Sequence, residues 1–236
     1  MLEERGLATV VIGLVRPHME RSANPRGLFV PFPLGRPLGE PGDAMFQHRV
    51  LLAALRLLEC CDGPVLLEDY PDDAPSQAPL LGWQPAFSPA LSTPTSPAEW
   101  QAALEAEIAL ARPSWERARA RWGRSTVGVS LQPPEAWGAY ATAFLAGTPP
   151  TPPPPFESSS LGLRFLADDL RAFITEAALG EGKVLPPDQL NPWLYGHTMA
   201  GRLLLALRSA ALISSDNGFR TVGSRFLVPT PWVPAV

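Results

Sequence analysis

ATVVIGLV, residues 8–15, is a continuous apolar run rich in β-branched residues, and it predicts a strand buried on both faces, as in parallel sheets. GLFVPF at residues 27–32 predicts a second, shorter strand, and PVLL at residues 64–67 predicts a third. Between the second and third strands, apolar residues recur at helical spacing after Asp43, the expected N-cap. The order strand, strand, helix, strand indicates an α/β fold with a mostly parallel central sheet and flanking helices.

The remainder of the chain is predicted to be mostly helical. Ser96 begins a capping box, and the helix that follows is expected to end or kink at Pro113. A second helical piece, with Trp115 and Trp122, is predicted to run to Gly123. A strand is predicted at residues 125–131, one long helix at residues 191–213 and a last strand at residues 221–228. Two further helices are predicted at residues 134–145 and around residues 166–180.

The run TPPTPPPP at residues 148–155 is the strongest linker candidate, because proline fixes φ and lacks an amide donor. We therefore expect an α/β domain at residues 1–147, a Pro-rich linker at residues 148–158 and a helical C-terminal region at residues 159–236. A leucine stripe in that last region suits either a core or the face of a homodimer. The stripe consists of Leu203, Leu204 and Leu207.

Composition excludes several classes of protein. The chain has 236 residues, 46% hydrophobic and 18% charged, as in a packed globule. Its net charge of −4 gives no basic surface for nucleic acid, and its apolar runs are too short to span a membrane. One arginine cluster is interpreted as a solvated helix face: Arg112, Arg117, Arg119, Arg121 and Arg124. The opening Met-Leu-Glu-Glu-Arg is not typical of a secretory signal, so we expect a cytoplasmic protein.

Residues with binding chemistry follow the first two predicted strands. They are Arg16, His18, Arg21 and Arg26 after the first strand, and Pro33, Gly35 and Arg36 after the second. Ligands of open α/β sheets bind at the carboxyl ends of the strands, and arginine binds carboxylates bidentately, so we expect a pocket for a small carboxylate. In the alternative interpretation, the prolines and Gly35 shape a turn and Arg36 pairs with a surface carboxylate.

The same stretch resembles a known family. GLATVVIGLV, FVPFPLGRPLGEPG and QHRVLLAALRLLE, within residues 6–59, are similar to the C-terminal region of the selenoprotein B (component B) family of glycine, sarcosine and betaine reductases. The residues at its motif positions are Pro31, Pro33, Gly35, Pro37 and Arg49. The resemblance implies reductive cleavage of a small amino acid derivative. The family uses a selenocysteine or cysteine in a redox motif outside the matched region, and this sequence has no such motif.

Three side chains are candidates for catalysis. His18 lies beside arginines that favour its neutral form, which suits a general base. Cys60 and Cys61 form a vicinal pair at the end of the first helix, where the helix dipole opposes thiolate formation. They are redox candidates, or else small buried apolar residues.

A second group of candidates lies on the last long helix. His197 stands between Gly196 and Gly201, where missing side chains permit close approach of a ligand or of another helix, and Tyr195 is its companion. A core histidine bonded to a carbonyl is the alternative. The sequence predicts no metal site and identifies no cofactor.

We expect a reductase-like enzyme that acts on a small amino-acid-derived, amine or carboxylate substrate, with Arg16 and Arg36 as anion clamps. The first alternative is a noncatalytic small-molecule-binding or accessory subunit. The second alternative is a dimeric interaction protein.

Overall fold

A computed structural model describes residues 2–60, 63, 65–73, 81–180, 185 and 187–229. The chain divides into a first unit, residues 1–77, and a second unit, residues 78–236. The first unit contains strands β1 (Val11–Gly13), β2 (Arg26–Phe29) and β3 (Leu66–Asp69) and helices α1 (Arg16–Ser22) and α2 (Ala44–Arg56). The second unit contains helices α3 (Pro97–Trp122), α4 (Pro134–Leu145), α5 (Ser159–Leu179), α6 (Pro187–His197), α7 (Met199–Leu212) and α8 (Asn217–Arg225).

The sheet of the first unit is parallel and has the strand order β1-β2-β3. Leu28 of β2 lies opposite Ile12 of β1 and Glu68 of β3. Asp43 caps α2 as predicted, since its carboxylate accepts a hydrogen bond from the Phe46 amide at 2.9 Å. The predicted α/β class, with a parallel sheet, flanking helices and a helical C-terminal part, is confirmed.

The two faces of this sheet are covered unequally. On one face Leu28 and Val30 belong to a core with Phe46 and Val50 of α2. The other face meets α1, a helix of seven residues in which only Met19 is buried. The expectation that the first strand is buried on both faces is therefore wrong, and Val11 keeps 39% of its surface exposed.

The second unit is built around α5, whose Leu166, Leu170 and Phe173 are fully buried. The ring of Phe173 meets that of Trp137 of α4 at 5.5 Å. Leu203, Leu204 and Leu207 of α7 are each at most 1% exposed in the same core. The leucine stripe therefore packs inside the unit, which confirms its interpretation as core, and the alternative that it forms the face of a homodimer is wrong.

The Pro-rich run does not separate two packing units. Helices α3 and α4 precede it and α5 and α7 follow it, and the four helices pack together in the second unit. The boundary between the units lies instead after residue 77, ahead of the predicted linker at residues 148–158. Residues 148–155 thus connect neighbouring helices across one core.

Helix α3 has the predicted beginning and a longer course. Ser96 and Glu99 form the capping box. The two predicted pieces are one helix, which continues through Pro113 to Trp122, and Gly123, with φ of 65°, terminates it where the end was predicted. In the described part of the chain, no helix has the length and apolar character needed to cross a membrane.

Residues 125–131 form turns and not the predicted strand. The buried carboxylate of Asp169, on α5, accepts hydrogen bonds from the amides of Gly128, Val129 and Ser130 at 2.7, 3.0 and 2.9 Å, and from the Ser130 hydroxyl. The amides that a sheet ladder would use are therefore bound to one side chain.

The C-terminal predictions need two further corrections. The predicted helix at residues 191–213 is two helices, because Thr198 interrupts it and caps α7 by accepting the Gly201 amide at 2.9 Å. The predicted last strand, residues 221–228, lies mainly in α8. Asp216 caps that helix by accepting the Gly218 and Phe219 amides.

Candidate functional site

At the carboxyl edge of the sheet, where open α/β sheets bind ligands, a salt bridge connects Arg16, which follows β1, to Asp69 at the end of β3. Arg16 donates from Nε to Asp69 Oδ1 at 3.0 Å and from Nη2 to Asp69 Oδ2 at 3.2 Å. Its third nitrogen pairs with Glu20, one turn along α1. The hydrogen bonds and charge of Asp69 raise the pKa of Arg16. The guanidinium predicted to clamp an anion is thus neutralised by two carboxylates.

The other predicted clamps are also engaged. Arg26 binds both carboxylate oxygens of Glu3, at 3.1 and 3.3 Å. Arg36 donates to Glu40 at 2.6 Å, and Arg21 donates to the Pro17 carbonyl at 3.0 Å. Each of these arginines is therefore already bound to oxygen atoms of the first unit.

Gly35 lies in an exposed turn. The Arg36 amide donates to the Pro33 carbonyl at 3.0 Å, and Gly35 has φ of 86°, which favours glycine. Leu34 beside it keeps 78% of its surface exposed. The turn and the Arg36–Glu40 ion pair are the arrangement that the alternative interpretation describes.

The predicted catalytic side chains do not form a nucleophile and base pair among the described residues. His18 is exposed on α1. Cys60 is half-buried, and its Sγ lies 3.8 Å from the Arg56 carbonyl. Cys61 lies outside the described residues.

Tyr195 and His197 belong to the second unit, whereas the predicted arginines belong to the first. Tyr195 is buried, and burial raises the pKa of its hydroxyl. That hydroxyl makes no hydrogen bond of good geometry with a described residue. His197 is exposed at the end of α6, so the alternative of a core histidine is wrong.

A cavity of about 360 Å³ lies in the second unit, between the end of α3, the residues that follow it and the end of α5. We call it the arginine cavity. The lining residues that matter to its chemistry are Arg119, Trp122, Arg124, Thr126, Glu176 and Leu179. The cavity thus combines cationic, aromatic and aliphatic side chains.

Glu176 fixes one wall of the arginine cavity. Its Oε1 accepts the amide and the hydroxyl of Thr126, both at 2.8 Å. Its Oε2 accepts the indole N–H of Trp115 at 2.9 Å and the hydroxyl of Ser125 at 2.7 Å. Three of these donors hold the segment after α3 against α5, and the fourth, the Trp115 indole, ties α3 itself to α5.

The two arginines of this cavity differ from those of the first unit. Arg119 lies over the ring of Trp115, with 5.5 Å between its Cζ and the ring centroid. Neither the Arg119 guanidinium nor the Arg124 guanidinium has a salt bridge or hydrogen bond to any residue in the described ranges. Within that part of the chain, the N–H donors of both guanidinium groups therefore remain available to a ligand.

Sequence reasoning missed this site for a definite reason. Arg119 and Arg124 were grouped with a solvated helix face, and Thr126 was placed in a strand. One signal was present: Asp169 and Glu176 are seven residues apart on a helix, so both carboxylates point to the same side. Two carboxylates on one side of an amphipathic helix indicate that backbone amides of another segment pack against that side of the helix.

No group of three or more His, Cys, Asp and Glu side chains in the described part of the chain is arranged to hold a metal ion. Comparisons with protein-family models, with curated proteins and with solved structures found no match to this chain.

Proposed function

We propose that the chain is a noncatalytic small-molecule-binding protein, and that its ligand is a small organic anion held in the arginine cavity. The observation that carries the proposal is the pairing state of the arginines. Arg119 and Arg124 line a cavity and have no acidic partner among the described residues. Arg16, by contrast, is bound to Asp69 and Glu20.

This difference decides at which arginines an anion gains the most binding free energy. At Arg16 a ligand carboxylate would have to displace two carboxylates that are already in place. At Arg119 and Arg124 it would displace no carboxylate of the described residues, and each charge-assisted hydrogen bond contributes about 1.5 to 3 kcal/mol. The volume, about 360 Å³, is at the small end of the range for small-molecule pockets, about 300 to 1,000 Å³.

A reductase-like reaction stays a prediction that follows from the resemblance alone. Cys60 is the one cysteine among the described residues, and its neighbour at 3.8 Å is a backbone carbonyl and not a cation that would favour a thiolate. His18 is exposed on a different element. The geometry therefore favours binding over catalysis.

The test uses cyclohexanecarboxylate as the anionic probe and cyclohexylammonium as a cation with the same ring. We expect only the carboxylate to raise the melting temperature, because only it complements the two guanidinium groups. In the double variant Arg119→Gln, Arg124→Gln the carboxylate should no longer stabilise the protein.

Arg121→Gln is the matched control, since Arg121 is exposed on the same helix but is not a lining residue of the arginine cavity. This variant should respond to cyclohexanecarboxylate as the wild type does. Equal stabilisation by both probes, or an unchanged response in the double variant, would contradict the proposal.

A further inference from the structure

We infer that the ligand of the arginine cavity is a planar aromatic monoanion, such as an aryl carboxylate, whose ring lies against Trp122. The inference rests on the proposed function and names the class of ligand.

Trp122 is unusual among the tryptophans that the structure describes. Trp115 and Trp137 are buried, and three others are partly buried against the core of the second unit. Trp122 keeps 51% of its surface exposed and lines the arginine cavity. A large apolar ring left in water at the wall of a cavity is a surface that gains free energy when another ring covers it.

The charges select a monoanion. Arg119 and Arg124 carry two positive charges, and Glu176, which accepts four hydrogen bonds as an ionised carboxylate does, carries one negative charge. The three side chains together have a net charge of +1. A single carboxylate matches that charge, whereas a dianion would meet the repulsion of Glu176 with no third cation among the described lining residues to compensate.

Leu179 and Trp122 supply the apolar part of the lining, while the guanidinium groups supply the donors. The position of Arg119 is supported by its contact with the ring of Trp115 at 5.5 Å. A ligand that satisfies both parts has a flat ring and one carboxylate joined directly or by a short chain.

Benzoate and cyclohexanecarboxylate test the inference by isothermal titration, because they have the same charge and nearly the same size. Aromatic pairing predicts that benzoate binds about 3- to 10-fold more tightly. In Trp122→Leu this preference should fall to about 1-fold, whereas Trp122→Phe should keep most of it. Trp122 is half-exposed, so circular dichroism should show both variants folded.

The outcomes separate the two proposals. If neither acid binds, both the proposed function and this inference fail. Equal binding of the two acids overturns the aromatic ligand and leaves the binding function standing. A benzoate preference that survives in Trp122→Leu also overturns the inference, since the ring would then lie elsewhere.

Discussion

The carboxylate of Glu107, buried on α3, accepts the backbone amide of Ala200 at 2.7 Å and so closes the N-terminus of α7. Its other oxygen accepts the Met199 amide at 2.8 Å. A helix N-terminus favours negative charge, yet burial outweighs these two bonds and raises the pKa of Glu107 to about 7.

Glu107 should make the stability of the protein depend on pH. Because its folded pKa lies above the ordinary value of 4.5, the folded state binds the proton more tightly than the unfolded state. This contribution to the free energy of unfolding is fully present below pH 4.5 and is lost as the pH rises to about 7. The total change is about 3 kcal/mol.

Urea unfolding of the wild type and of Glu107→Gln at several pH values between 4 and 8 measures this change. The variant has no titrating group at this position, so the difference between the two free energies should vary with pH over that interval. Parallel curves would show that Glu107 keeps an ordinary pKa in the folded protein.

Removal of the Asp169 carboxylate should destabilise the second unit by about 3 kcal/mol, because Asp169→Ala leaves the buried Ser130 amide and two neighbouring amides without an acceptor. The adjacent Asp168→Ala is the matched control, since Asp168 is half-buried and its ion pair among the described residues is with Arg171 on the same helix. We expect less than about 1 kcal/mol for that change. Similar losses from both variants in chemical denaturation would refute the assigned role of Asp169.

The contact between α6 and α7 should not tolerate a methyl group at Gly201. A Cβ there would lie 2.0 Å from the carbonyl oxygen of Leu194, which is backbone and cannot rotate away. Gly201→Ala should therefore cost about 3 kcal/mol or more. At Gly196, on α6, a Cβ would meet nothing within 4 Å, so Gly196→Ala should be neutral or stabilising by up to about 1 kcal/mol. Thermal unfolding of the two variants compares them, and equal melting temperatures would argue against the close approach.

Local sequence patterns were sufficient to predict those helices and strands whose stabilising contacts involve residues nearby in the sequence. Asp43 and Ser96 cap their helices through amides three residues away, and the periodicity of α2 and α3 needs no distant partner. The apolar runs of β1 and β2 likewise identified a parallel sheet.

Contacts between residues that are far apart in the sequence explain the remaining differences between the predicted and the observed structure. STVGVSL at residues 125–131 has a strand-like pattern, but Asp169, about 40 residues away, binds its amides. The helical periodicity of residues 191–213 continues across Thr198, whereas the break there is closed by Glu107, 92 residues from Met199. The prediction that Arg16 binds an anion did not foresee its partner for the same reason, since Arg16 donates to Asp69, which is 53 residues away in the sequence.

The attachment of Thr126 to Glu176 has a kinetic consequence. Since the segment after α3 is already fixed against α5, a ligand entering the arginine cavity need not order that segment first. Capture should then be limited by diffusion toward two cationic groups, and its rate constant should fall as ionic strength rises. Residence time, in contrast, should reflect the short-range contacts and change little with salt.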